Sequence, residues 1–164
     1  MKQLLWTTGL LIVQILILNH IQIYGYGTPF ACIFPILLFS LDSPRWKILL
    51  LGFTIGIIED IFINTPGVTA ATFTALAMIQ PALLKAVSPR DNDEKDFSPS
   101  ARNLGWGNYI KYTLSACLIV SILFFTLETF SFFNYIKYLI SIGSTWLATF
   151  FFIMAIERVR TAKI

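Results

Sequence analysis

The chain has 164 residues, of which 56% are hydrophobic, 15% aromatic and only 13% charged, with a net charge of +3. A water-soluble domain carries about 45–50% apolar and about 25% charged residues, so the composition argues against a soluble enzyme or a nucleic-acid-binding module. It points to an all-α integral membrane protein without a soluble domain, and continuous apolar runs without period-two alternation argue against a β-barrel.

The first apolar run follows Lys2 and extends through Leu4-Leu5-Trp6 to Leu18. No small-x-small cleavage site follows it, so it reads as a retained first span over about 4–22. Asn19 and His20 come next, and His20 reads as a solvated or capping residue near the interface. Tyr24-Gly25-Tyr26-Gly27-Thr28-Pro29 is a turn with interfacial tyrosines. The second span, about 29–41, contains Pro35 and is short. A helix over Phe30–Leu41 covers roughly 18 Å of a hydrocarbon core about 30 Å thick. Such a segment either begins further back or is a short, bent helix enclosed by its neighbours.

After the polar turn at Asp42–Lys47, a third span covers about 46–63 and a fourth about 67–86. Asn64-Thr65-Pro66-Gly67 joins them, with Pro66 placed to start the fourth helix. The fourth span is rich in small residues (Ala70, Ala71, Thr72, Thr74, Ala75, Ala77) that allow close helix approach in lipid. Pro81 is expected to kink or end it. Residues 88–108 form a mixed-charge loop that reads as a solvated linker or a docking element. The fifth and sixth spans cover about 109–127 and 133–156, and the tail from Glu157 to Lys163 is basic.

Six spans place both termini on one side. That side would hold every Lys and Arg except Lys137, a strong positive-inside signal. Both termini and the 88–108 loop are therefore expected to be cytoplasmic. Cys32 and Cys117 lie inside apolar runs and read as small buried residues. No CxxC, HExxH or glycine-rich phosphate loop occurs, and one histidine cannot build a multi-His metal site. No catalytic, cofactor-binding or metal-ligating residue is assigned.

The third span carries the most informative stretch, Gly52 to Gly67. At about 100° per residue, Gly52, Gly56, Glu59 and Asp60 fall within one arc of about 100°. Glycines four apart permit close helix contact, so this face is expected to look into the bundle toward the fourth span. A charge at mid-membrane costs about 2.5–3.5 kcal/mol and less near an interface. Burial and a like-charged neighbour favour the protonated form of one carboxyl. Three readings stay open for the pair. They accept hydrogen bonds from helix ends and hydroxyls such as Thr69 or Thr72, they contact another membrane protein, or they serve a proton pathway or acid–base chemistry.

The string Gly56-Ile57-Ile58-Glu59-Asp60-Ile61-Phe62, followed by Asn64-Thr65-Pro66-Gly67 and a small-residue helix, resembles the rod shape-determining MreD family. Chain size, cytoplasmic termini and Asn19 after the first span fit the same layout. The resemblance implies a non-enzymatic, cofactor-free scaffold in the inner membrane of a bacterium, in the machinery that directs lateral peptidoglycan synthesis and maintains cell shape. Its implied partners are MreC, the MreB filament, RodA and the transpeptidase that works with RodA, alongside membrane lipids and no nucleic acid. It also implies six transmembrane helices similar to the substrate-binding subunits of energy-coupling-factor transporters. Gly56, Asp60, Pro66 and Gly67 match the family motif, while Glu59 stands where an apolar residue is expected. Gly52, Gly56, Glu59, Asp60, Pro66 and Gly67 together form the candidate structural and partner-contact motif. The alternative from another class is a substrate-binding membrane subunit of a vitamin or metal transporter.

Overall fold

The computed structural model describes residues 9, 14, 29–41, 43–88, 99–129 and 135–162. Gly9 and Gln14 are helical, while the remainder of the first span, including Asn19 and His20, and residues 89–98 of the polar loop lie outside the described residues. The described chain is helical, and no strand occurs among the described residues. A 3-10 turn at Ala31–Ile33 leads into α1 (Phe34–Leu37); α2 is Arg45–Ile63, α3 Val68–Val87, α4 Ala101–Leu104, α5 Trp106–Thr129 and α6 Tyr135–Ala162.

Three of these helices, α3, α5 and α6, are long and apolar enough to cross a membrane. The protein is accordingly described as a membrane protein. The 19-residue α2 falls short of that apolarity because Arg45 and Lys47 sit at one end and Glu59 and Asp60 at the other. Burial of both carboxylates removes them from the surface that α2 turns outward.

Neighbours in the bundle follow chain order: α2 packs on α3, α3 on α5 and α5 on α6. The core between them is aliphatic and aromatic, with Phe30, Phe73 and Phe124 at its centre. Phe30 meets Phe73 edge-on at 5.8 Å and Phe124 at 4.8 Å between ring centroids. Such ring pairs add to the stabilisation that burial already gives.

Of the stretch expected as a second span, only Ala31–Leu37 is helical, and every residue from Phe30 to Leu37 is buried. It is enclosed by protein, the setting in which irregular backbone is tolerated at membrane depth. α3 runs through Pro81 and six residues beyond it to Val87. Of the two outcomes expected at Pro81, a kink or an end, the helix does not end there. Gln80 and Leu84, both buried, tie the turns around the proline to the core. Helices in lipid pass through proline where neighbours hold the following turn. α5 starts three residues ahead of the expected span, at Trp106. α6 continues to Ala162, so the Glu157–Thr161 stretch read as a tail is part of a 28-residue helix.

Candidate functional site

Asp60 occupies the last turn of α2, and the chain leaves that helix through Asn64 in the left-handed conformation (φ 61°). Asparagine is among the few non-glycine residues that adopt it readily. The amide of Thr65 donates to the Asp60 carbonyl at 3.2 Å, closing the end of α2. Gly67, at φ 85°, then turns the chain into α3. Pro66 stands in this turn, two residues ahead of the helix it was expected to open.

This turn delivers the first amides of α3 to the Asp60 side chain. Oδ1 accepts from the Thr69 amide at 2.8 Å and the Thr65 hydroxyl at 3.1 Å. Oδ2 accepts from the Ala70 amide at 3.0 Å and the Gly67 amide at 3.1 Å. The first four amides of any helix lack partners inside it. Gly67 has no side chain to supply one, so the cap comes from the preceding helix. Asp60 also sits where the positive end of the α3 dipole favours a negative charge. The carboxylate is thus satisfied by donors of the helix end.

The hydroxyls named from the sequence as donors have other fates. Thr72 donates to the Val68 carbonyl at 2.8 Å, and the Thr69 hydroxyl makes no hydrogen bond. The hydroxyl that reaches Asp60 belongs to Thr65, in the joining turn.

Gly52 and Gly56 face α3 at backbone contact. A Cβ on Gly56 would lie 2.4 Å from the Ala70 Cα, and one on Gly52 would lie 2.8 Å from the Phe73 carbonyl oxygen. Both positions exclude any side chain unless the helices separate. Close approach of α2 and α3 brings Asp60 within reach of the α3 amides, so glycines and carboxylate act as one device.

Glu59 is fully buried on the same face of α2. The Cys32 thiol lies beside its carboxyl. Glu59 therefore meets the enclosed 30–37 segment, while Asp60 meets α3. The adjacent carboxyls address different elements.

On its outer side the α2–α3 pair borders an open groove of about 790 Å³. Phe53, Ile57 and Ile61 of α2 form one wall and Ala71, Thr74 and Met78 of α3 the other, with Asp60, Asn64, Pro66 and Gly67 at one end. Phe53, Ile61 and Met78 are well exposed. The groove is apolar and faces where lipid or another membrane helix would lie.

Two further polar sets escaped the sequence reading. The first holds the enclosed segment. Gln14 donates to the Pro29 carbonyl at 2.6 Å and accepts from the Ala31 amide at 3.0 Å, and Thr149 accepts from the Phe30 amide at 3.0 Å. Gln80 donates to the Phe39 carbonyl and to the Tyr112 hydroxyl, both at 3.0 Å, and Tyr112 donates to the Leu37 carbonyl at 3.2 Å. Lone polar residues within apolar runs, Gln14 and Gln80 above all, were the available signal.

The second set lies at the far end of the bundle. Glu157 of α6 is fully buried and accepts from the Ala101 amide, the first of α4, at 2.9 Å. Arg160 pairs with its other oxygen at 3.3 Å, the one ion pair among the described residues. Arg102 donates to the Thr161 carbonyl at 3.1 Å, and the Arg158 guanidinium lies 5.4 Å from the centre of the Trp106 ring. The second half of the loop read as a solvated linker is therefore folded against α6. Ala101 and Leu104 are buried there.

No family model matches the chain, and no curated protein or solved structure matches it.

Proposed function

We propose that this protein is a non-enzymatic scaffold of a bacterial elongation complex, presenting the α2–α3 pair to a membrane-embedded partner and linking cytoskeleton to peptidoglycan synthesis. The observation that carries the reading is the saturation of Asp60 by four donors beside an open apolar groove. A carboxylate so engaged is a building element, and the groove beside it offers concave packing surface to a transmembrane helix. Small residues on the α3 wall suit close helix contact in lipid. The resemblance of Gly56 to Gly67 to the MreD motif supplies the class of partner: MreC first, then MreB, RodA and its transpeptidase.

In this reading the protein lies in the inner membrane with six spans and the basic end in the cytoplasm. The groove end at Asn64–Gly67 then lies toward the outer face. The transporter-subunit alternative gains less support. Gln14, Gln80, Tyr112 and Thr149 engage the protein's own backbone rather than a cavity.

Co-purification from bacterial membranes tests the scaffold reading. MreC and the cell-wall synthases are expected to follow the tagged wild type, and Ala71→Trp, which fills the groove without entering the α2–α3 contact, is expected to release them while helicity is retained. Absence of these partners, together with unchanged cell shape on depletion, overturns it. A bound vitamin or metal ion in native mass spectrometry favours the alternative.

A further inference from the structure

The helix contacts collect most of the cations at one end of the bundle. Gly52 against Phe73 and Asp60 against Thr69 make α2 and α3 antiparallel, so Arg45 and Lys47 share an end with Lys85. Gln80 bonded to Tyr112 puts the end of α3 beside the start of α5. Arg158 over Trp106 brings the end of α6 to the same level. Arg45, Lys47, Lys85, Arg102, Lys111 and Arg158 are all exposed there, and none has a carboxylate partner among the described residues. Even with the acidic residues of 89–98 counted in, cations remain in excess at this end.

Depth in the membrane can be read from the same elements. α6 spans about 42 Å, longer than a hydrocarbon core of about 30 Å, so its last turns emerge from the apolar layer. Trp106 and Trp46 are amphipathic rings of the kind found at headgroup level. Each has a cation over it, Arg158 at 5.4 Å and Lys47 at 5.6 Å.

The best-formed part of this surface is the junction of α4, α5 and α6. Arg102 is held by the Thr161 carbonyl, one helical turn from Arg158, and Arg158 is held over Trp106, four residues from Arg102. These contacts hold both guanidiniums at the α4–α6 junction, where both arginines are exposed. Below it, Glu157 seats α4 by its first amide and takes Arg160 as its own counter-ion. Glu157 thereby leaves Arg102 and Arg158 uncompensated. Guanidinium donors match phosphate oxygens in geometry as well as charge.

We propose that Arg102 and Arg158, with Trp106 beneath Arg158, bind the phosphate of an anionic phospholipid headgroup in the adjoining leaflet. The proposal stands independently of the scaffold reading. Basic residues at the ends of membrane helices attract anionic lipid in this way, by about fivefold in affinity for each charge.

The test uses the full chain in nanodiscs and native mass spectrometry of the lipid that stays bound. Phosphatidylglycerol is expected to be retained in preference to phosphatidylcholine, with the preference falling as salt is added. Arg102→Gln with Arg158→Gln is expected to reduce it about twenty-five-fold. Lys137→Gln, at the opposite end, serves as the control and is expected to leave it unchanged. An equal preference in the double variant, with helicity retained, overturns the proposal. Two other outcomes also overturn it. One is a wild type without preference that gains a preference for phosphatidylglycerol only when Asp91, Asp93, Glu94 and Asp96 are substituted by their amides. The other is a wild type that retains a poly-glutamate peptide instead of the lipid.

Discussion

Asp60 and Glu157 perform the same task at opposite ends of the bundle and are neutralised by different means. Each is a buried carboxylate that caps the first amides of a helix other than its own. Asp60 takes three backbone amides and one hydroxyl, with no cation beside it among the described residues. Glu157 takes a single amide and an arginine from its own helix. The helix each one caps explains the contrast. α3 has 20 residues, enough for a developed dipole and several convergent amides, whereas α4 has four. A short helix offers little positive potential, so Arg160 supplies the charge instead. A buried anion can thus be held without a cation, by convergent amides and one hydroxyl, when the helix behind them is long.

Removing the two caps should separate these strategies. Asp60→Ala strands the buried Thr69 and Ala70 amides, and an unsatisfied buried donor costs about 1–3 kcal/mol. The expected loss of stability is about 4 kcal/mol, read as reversible unfolding in mixed micelles, and Thr65→Val is expected to cost about 1 kcal/mol of that alone. A loss under about 1 kcal/mol for Asp60→Ala would show that water replaces the carboxylate and that the α3 cap is dispensable.

Gly56→Ala probes the same region through shape. Its methyl would meet α3 backbone, which cannot swing aside, and overpacking of this kind costs about 1–3 kcal/mol. Double-mutant coupling to Asp60→Ala should be strong, because separating the helices already withdraws the amides from the carboxylate. Additive losses would mean that the glycine contact and the cap are independent.

Glu157→Gln is expected to have the smallest effect, about 1 kcal/mol. The amide oxygen still accepts from Ala101, and only the pairing with the partly exposed Arg160 is lost. An effect as large as that of Asp60→Ala would erase the distinction between the two ends.

What could be read from the sequence follows how local each interaction is. The α2–α3 hairpin was legible because its parts lie within sixteen residues: glycines at helical spacing, a carboxylate at the helix end, then Asn64-Thr65-Pro66-Gly67. Helical phase alone turns Gly52, Gly56, Glu59 and Asp60 to one side. Helix ends and hydroxyls were both expected as donors to the carboxylates, but which amides and which hydroxyl reach Asp60 depends on the path of the joining turn and was less legible. The Glu157 cap joins residues 56 apart, and the Thr149 bond to Phe30 joins residues 119 apart. No spacing rule connects such positions. Glu157 looked like one charge in a basic tail, and Ala101–Leu104 is too short for a periodic signal. Pro81 left two outcomes open, a kink or an end, because the choice depends on the tertiary neighbours of the next turn.

The enclosed 30–37 segment has a consequence for how the protein is made. Its Phe30 amide depends on Thr149, midway along α6, and its Ala31 amide depends on Gln14, ahead of the segment in the chain. Until α6 emerges from the ribosome, the Phe30 amide has no partner, and hydrocarbon offers none. The segment can therefore be fully satisfied inside the bundle only once α6 has packed against it. Closure of the fold is thereby tied to α6, although the buried piece that it completes lies 119 residues earlier in the chain.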